Sequence, residues 1–545
     1  MKTRFLPVAL LMAISLGAGA QGFRMPTETG PSKAEKFTFS DDEATQLQQL
    51  KSNSMLKWFR ENRQAMAALD ELDHRPVYHF TSPEKQLNDP NGLCYWNGKW
   101  HLFYQAYPTA DSRVHWGHAV SDDMYNWKDL PLALYPDPER SCFSGGTTVA
   151  DGRVVAVYNG MGVGNMFATA SDPYLLNWDK VGHIAPSIAS DGLSYSLFDP
   201  CVWKNGDFYY ALSGGAIPTG PAGTRLCNGY LFRSRDLVTW EYVHPFIQDD
   251  WFSAVGDDGG CPYFVPIGKE GKYMLLHFSH RRGAKYLIGN YDTREQVFHV
   301  TGGAQINEGP ARPGGTHAPS AFPLPDGSGE VVALYNVKPL EIIPGTNVEC
   351  FTLPQVLSVD AQDNLYIRPF DGYQTFRKGR KALSAIAVPA NKEVQLKGVS
   401  GNTMEVDLEF DASTPNFEIK VLADPKQREY TSLTFLRDAG MVSQRGGNSW
   451  RMILDHTHGS LSEKFVPRTP EIADFACASD EPLKVKIFID KSIVEVFVND
   501  KAWAMLRTYP ILKESTGVYV KAFGNGTVVK SVEAWQMGGI NFAIE

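Results

Sequence analysis

The sequence predicts an all-β protein, a five-bladed β-propeller followed by a C-terminal β-sandwich, with a short helical segment ahead of both. Three observations lead there. Five tight turns, Asn97-Gly98, Asp151-Gly152, Asn205-Gly206, Glu270-Gly271 and Ser328-Gly329, each run into an apolar stretch, and Asn-Gly or Asp-Gly in that place is the strongest short-range sign of a β-hairpin. They recur about every 54 to 65 residues, the period of propeller blades with extended loops. Between them residues 121–127, 171–178 and 234–240 each open on serine and end on tryptophan, a turn before a strand, as the outer strands of successive blades require. After Lys378-Gly379-Arg380-Lys381 the strands lengthen and alternate, at residues 404–410, 483–489, 492–498 and 517–523. Strict alternation puts one face in a core and the other in water, the pattern of a sandwich. The propeller is expected over residues 75–378 and the sandwich over 385–545.

In chain order, residues 1–20 carry Lys2 and Arg4, an apolar run and the ending Ala18-Gly19-Ala20, which is the pattern of a cleavable secretory signal. No later apolar run approaches the roughly 20 residues of a spanning helix. A secreted or periplasmic protein without membrane insertion is expected. Residues 21–74 read as a mobile leader to about residue 40, then a helix or helix pair to about Leu72. Ser40-Asp41-Asp42-Glu43 forms a capping box there, and Leu47, Leu50, Met55, Leu56 and Phe59 make an apolar stripe. The 545 residues exceed the roughly 250 to 300 at which single cores stop growing, so two domains are expected. A net charge of −9 argues against nucleic acid or anionic membranes as partners. The seven cysteines lack C-x-x-C pairs and His clusters, so neither a zinc site nor a disulfide framework is signalled. Aromatic residues at 12% with 49 glycines suit a turn-rich β protein whose rings face sugars or simply fill cores.

Two short stretches draw attention for chemistry. Asn88-Asp89-Pro90-Asn91-Gly92 precedes the first blade strand, where the central cavity of a propeller opens. Pro90 fixes φ and Gly92 permits a reversal, so Asp89 would sit on a rigid turn, as a nucleophile needs; an ordinary Asx turn reads the same way. Gly256-Asp257-Asp258-Gly259-Gly260-Cys261-Pro262 sets two adjacent acids before two glycines, which is either a solvated turn or a catalytic loop.

Around these stretches the sequence resembles glycoside hydrolase family 32, the β-fructosidases. The resemblance is carried by His79-Phe80, residues 88–92, His101 to Gln105, Trp116-Gly117-His118-Ala119-Val120-Ser121, residues 130–137, Phe143-Ser144-Gly145, residues 286–292 and, in the second domain, residues 488–497. It covers nearly everything after residue 75, in the same order. It implies an oligosaccharide or polysaccharide substrate, no metal or organic cofactor, Asp89 as nucleophile, and Asn88, Gln105, Trp116 and Ser144 around the sugar. Asp199 matches the transition-state stabiliser of the family's Arg-Asp-Pro motif, with Phe198 where arginine is usual. The general acid/base of similar proteins is a Glu directly before Cys-Pro, and here that residue is Gly260.

Proton transfer of this kind is worth about 10² to 10⁴ in rate, so its loss demands a replacement or a change of role. Asp258 is the candidate replacement. Two residues before Gly260, it shares that residue's face in an extended segment, offset by roughly 6 to 7 Å, with the two glycines free to rearrange. Glu308, His317 and Glu241 are other possible acids without a motif to choose among them. Trp116, Phe143, Trp251 and Phe252 are candidates to stack on sugar rings. The resulting expectation is a retaining glycoside hydrolase of β-fructofuranosides or related furanosides with a non-standard acid/base. The alternative is a carbohydrate-binding or sensing protein that has lost turnover.

Overall fold

The computed structural model describes residues 26–544 apart from 71, 85, 186–196, 218–222, 225, 270, 281, 307, 310–314, 340–347 and 439–447. The signal segment expected at residues 1–20 lies outside the described residues. Two helices open the chain, α1 (Glu43–Lys51) and α2 (Ser54–Ala68). The cap of α1 is Asp42 rather than Ser40: its carboxylate accepts from the Thr45 backbone N–H at 2.9 Å and from the Thr45 hydroxyl at 2.8 Å, an ordinary N-cap bond to a free first-turn donor. Asn53 caps α2 in the same way.

The described part of the leader, from residue 26, is tied down, contrary to expectation. The Arg113 guanidinium donates to the carbonyls of Gly30 and Pro31 at 2.7 and 2.9 Å, while Lys33 N–H donates to Asp111. Phe39 and Leu50 are buried together with Val120, Leu130, Tyr174 and Leu176 of the following sheets. Fully burying such a side chain is worth roughly 1.5 to 3 kcal/mol, so residues 26–68 are a packed brace.

From residue 87 to 369 the chain forms five larger sheets in succession. Their first strands are Leu87–Trp96, Cys142–Ala150, Pro200–Asn205, Gly260–Pro266 and Thr316–Pro323. Each of these strands touches the next, and the last touches the first, so the five close into a ring. All five expected turns join a first strand to the second of its sheet; Glu270 itself lies outside the described residues. The serine-to-tryptophan segments are the turns between third and fourth strands of the first three sheets. In each, an aspartate (Asp123, Asp172, Asp236) accepts from backbone N–H groups farther along.

One irregularity positions the site. Four of the five first strands carry a one-residue bulge near their start, at residues 87–90, 142–145, 260–263 and 316–319. A bulge bends its strand and re-aims a side chain. The Asn88 to Gly92 motif therefore lies within the bulged first strand rather than in a turn before it, with Gly92 at φ +51°.

The second domain has two six-stranded sheets enclosing a core of Val, Ile, Leu and Phe. It begins earlier than residue 385: Arg377–Val388 runs beside Thr527–Met537. Alternation there does not always mean water on the second face. In Ile493–Val498 all six residues are buried, because Val494 and Val496 enter the sandwich core while Ile493 and Phe497 pack against the ring of sheets. In that interface His79 lies between Asp490 at 2.9 Å and Glu495 at 3.0 Å.

Candidate active site

The bulged strand starts bring Asp89, Ser144, Cys261 and His317 together, and Asp199 joins them from the residue before the third first strand. Asp89 is buried. Its Oδ2 accepts from the Ser144 hydroxyl at 2.6 Å and from Gln105 Nε2 at 3.2 Å, and its Oδ1 faces His317 Nδ1 at 3.0 Å. Burial acts to raise its pKa, but the His317 contact, the nearby Lys338 ammonium and the Ser144 bond outweigh it and hold the carboxyl well below the usual range. Burial and Lys338 in turn keep the His317 imidazole down at about 4, so it donates Nδ1–H as a neutral group. Asp89 is thus an ionised, fully oriented carboxylate at neutral pH.

Asp199 is its opposite. Its Oδ2 accepts from Cys261 N–H at 3.1 Å and Sγ–H at 3.4 Å, yet burial, with Asp89 adding repulsion, pushes its pKa up to about 6. The Cys261 thiol, raised by burial and by both carboxylates, remains a thiol and lies 3.7 Å from Asp89 Oδ2. Two carboxyl groups driven apart in this way are a mark of acid/base or nucleophile chemistry.

Around them Asn88 Nδ2 donates to Gln105 Oε1 at 3.0 Å, and Asn88 Oδ1 accepts from Asn336 and Lys338. Phe143 is half-buried beside Ser144. Trp116 requires correction as a stacking residue: it is fully buried, flanked by Phe103 and Tyr158, and donates Nε1–H to the Phe143 carbonyl. It braces the strand that carries Phe143 and Ser144 from behind. Trp251 is 88% exposed, with Phe252 beside it, in the segment leading to Asp257.

The two adjacent acids have different fates. Asp257 is buried and pairs with Lys285 and the Ser279 hydroxyl; these bonds overcome the effect of burial and lower its pKa. It is a structural anchor. Asp258 remains half-buried and accepts from His280, with Oδ2 2.7 Å from Nδ1. Glu241 pairs with Arg233 in an outer strand, and Glu308 bridges to Ile472 of the sandwich; both are structural. Sequence reasoning gave no role to His280, Lys338 or Cys261. Cys261 sat in view beside Gly260, whereas His280 and Lys338 arrive through cross-strand pairing that no local motif records. Among the described residues no three His, Cys, Asp or Glu side chains are grouped to hold a metal ion.

Comparison with known proteins identifies the family. The models of the glycosyl hydrolases family 32 N-terminal and C-terminal domains match residues 79–369 and 372–536. The chain is 25% identical to a β-fructofuranosidase, insoluble isoenzyme 1, of Daucus carota, over 85% of this chain and 89% of that one. It is 27% identical to the sucrose-6-phosphate hydrolase of Escherichia coli, over 85% and 95%. The fold is similar to that of fructan 1-exohydrolase IIa from Cichorium intybus, with a TM-score of 0.73 at 22% identity over 86% of this chain and 98% of that one.

Proposed function

Because the chain belongs to glycoside hydrolase family 32, we propose that it cleaves β-fructofuranosides or closely related furanosides with retention, through a glycosyl-enzyme formed on Asp89. The observation that carries this reading is the buried, ionised Asp89 held by Ser144, Gln105 and His317. A carboxylate so oriented attacks an anomeric carbon without first having to lose a proton or reorient. Relatives named for β-fructofuranosidase and sucrose-6-phosphate hydrolase activity support the sugar class. The ring of five sheets is read as a five-bladed propeller whose axial cavity holds the fructosyl unit. There Asn88, Gln105, Phe143 and Ser144 form its walls, with Trp116 behind them. Asp199 accepts a ring hydroxyl, a bond that strengthens as oxocarbenium character grows. The proton comes from the Asp258 side of the cleft. Residues 1–20 direct export, and the mature protein works outside the cytoplasm.

A binding or sensing protein without turnover is the second reading, favoured by Gly260 in the place of a glutamate. Release of reducing sugar from sucrose, inulin, levan and an aryl β-fructofuranoside separates the two. Hydrolysis of at least one, abolished by Asp89→Asn, is expected. Saturable binding of these sugars with no release by the intact protein would favour the second reading.

A further inference from the structure

The missing glutamate leaves a position that can be located. A Cβ built on Gly260 would lie 3.3 Å from Phe198 Cε1, 3.4 Å from Asp199 Oδ2 and 3.6 Å from His280 Cε1. A side chain at residue 260 would therefore enter the space between Asp199 and His280. The strand register explains why His280 is there: Gly260 pairs with Phe278, which sets residue 258 opposite residue 280, and the Asp258 carboxylate accepts from both the His280 backbone N–H at 3.3 Å and Nδ1 at 2.7 Å. The second ring nitrogen, Nε2, is not engaged by Asp258. The His280 side chain is 51% exposed, whereas Asp89 and Asp199 are buried, so His280 stands toward the mouth, where a departing group must leave.

We propose that His280, oriented by Asp258, is the proton donor and acceptor of this site, taking the place of a carboxyl on residue 260. The assignment rests on the proposed fructosidase reading. In the first step the Asp89 carboxylate forms a bond to the anomeric carbon as the bond to the leaving oxygen breaks. The bonding pair stays on that oxygen, which takes the proton from Nε2 of the His280 imidazolium. In the second step water attacks the anomeric carbon, the Asp89 ester bond breaks with its pair returning to the carboxylate, and the water proton passes to neutral Nε2. Throughout, Nδ1–H remains donated to Asp258, which is a positioning residue.

Electrostatics are consistent with this role. Burial works against the charged imidazole, but Asp258, by hydrogen bond and charge, and then Asp199 and Asp89 raise its pKa above the ordinary histidine value. The neighbouring His317 ring, 5.8 Å away, is held neutral and adds little repulsion. Asp199, raised to about 6, is the rival donor. However, its Oδ2 is occupied by Cys261 and it lies deep in the cleft beside the nucleophile.

The test compares sucrose, a poor leaving group, with an aryl β-fructofuranoside, whose leaving oxygen scarcely needs a proton. His280→Gln is expected to lower kcat/KM about 10² to 10⁴-fold on sucrose and far less on the aryl substrate, and to remove the basic limb of the pH profile. Added azide should restore turnover of the aryl substrate and yield a fructosyl azide, because azide attacks the anomeric carbon and displaces the Asp89 carboxylate without general-base help. Asp258→Asn should move the basic limb to lower pH, a change that a purely structural role would not produce. Equal losses on both substrates with the basic limb unchanged would overturn the assignment, as would this leaving-group pattern in Asp199→Asn but not His280→Gln. Failure of the wild-type protein to hydrolyse any fructofuranoside would overturn the fructosidase reading and this assignment with it.

Discussion

Replacing His79 by glutamine should uncouple the two domains in a pH-dependent way. His79 precedes the first sheet and projects into the sandwich, with Nδ1 2.9 Å from Asp490 and Nε2 3.0 Å from Glu495, all three groups fully buried. Burial opposes a charge on the ring, but the two flanking carboxylates win and raise its pKa to about 9. The folded pKa exceeds the unfolded one, so the associated stability is present in full below about 6.5 and is lost as pH rises through about 9. The rise from 6.5 to about 9 corresponds to about 3 kcal/mol. Asp490 would keep the backbone N–H groups of Val77, Tyr78 and residue 79, and Glu495 would keep Trp503 Nε1–H at 2.7 Å. The variant therefore folds but loses the charge that balances two buried carboxylates, a cost of about 3 to 5 kcal/mol. Denaturant unfolding of both proteins across pH reads the difference. It should be largest near pH 6 and shrink by about 3 kcal/mol toward pH 9.5. A deficit that stays constant over that range would refute the charged histidine.

Three further outcomes are expected. Asp257→Asn strands the buried Lys285 ammonium and should lower stability by about 3 kcal/mol, whereas Asp258→Asn, at a half-buried site, should barely change the melting temperature; comparable losses in thermal unfolding would contradict the division of roles. Gly260→Glu should fold, since Gly260 is not among the left-handed glycines and a Cβ there meets only side-chain atoms at 3.3 Å or more; it should raise kcat/KM on sucrose, and a folded variant without gain would count against the pocket assignment. If Asp199 accepts a ring hydroxyl as proposed, it does so best when ionised, and since its pKa is raised to about 6, kcat/KM should fall as pH drops through about 6. That limb should be absent from whatever activity Asp199→Asn retains.

What was legible in the sequence follows the range of the interactions concerned. The hairpin turns were readable because Asn97-Gly98 and Asp151-Gly152 fix left-handed backbone within two residues. The alternating strands were readable for the same local reason, yet Ile493 and Phe497 showed that alternation cannot tell water from a second domain. The start of α1 was displaced because Ser40 and Asp42 are both good caps, and only the bond from Thr45 to Asp42 decides between them. The leader looked mobile because its anchors, Asp111 and Arg113, lie about eighty residues away in sequence. At the site, Asp89 and Ser144 stood in recognisable motifs. His280 did not, because its meaning comes from standing opposite Asp258 across a strand pair, and while Asp258 lay in a conspicuous acidic stretch, His280 carries no local signature.

The central claim is that Asp89 carries the sugar during turnover, and a covalent adduct tests it most directly. Reaction with an aryl β-fructofuranoside, quenched in acid and digested, should yield the peptide containing Asp89 bearing one fructosyl group by mass spectrometry. The adduct should accumulate further in His280→Gln, where the second step is slowed, and be absent in Asp89→Asn. An adduct on another peptide, or wild-type turnover in Asp89→Asn, would contradict the account.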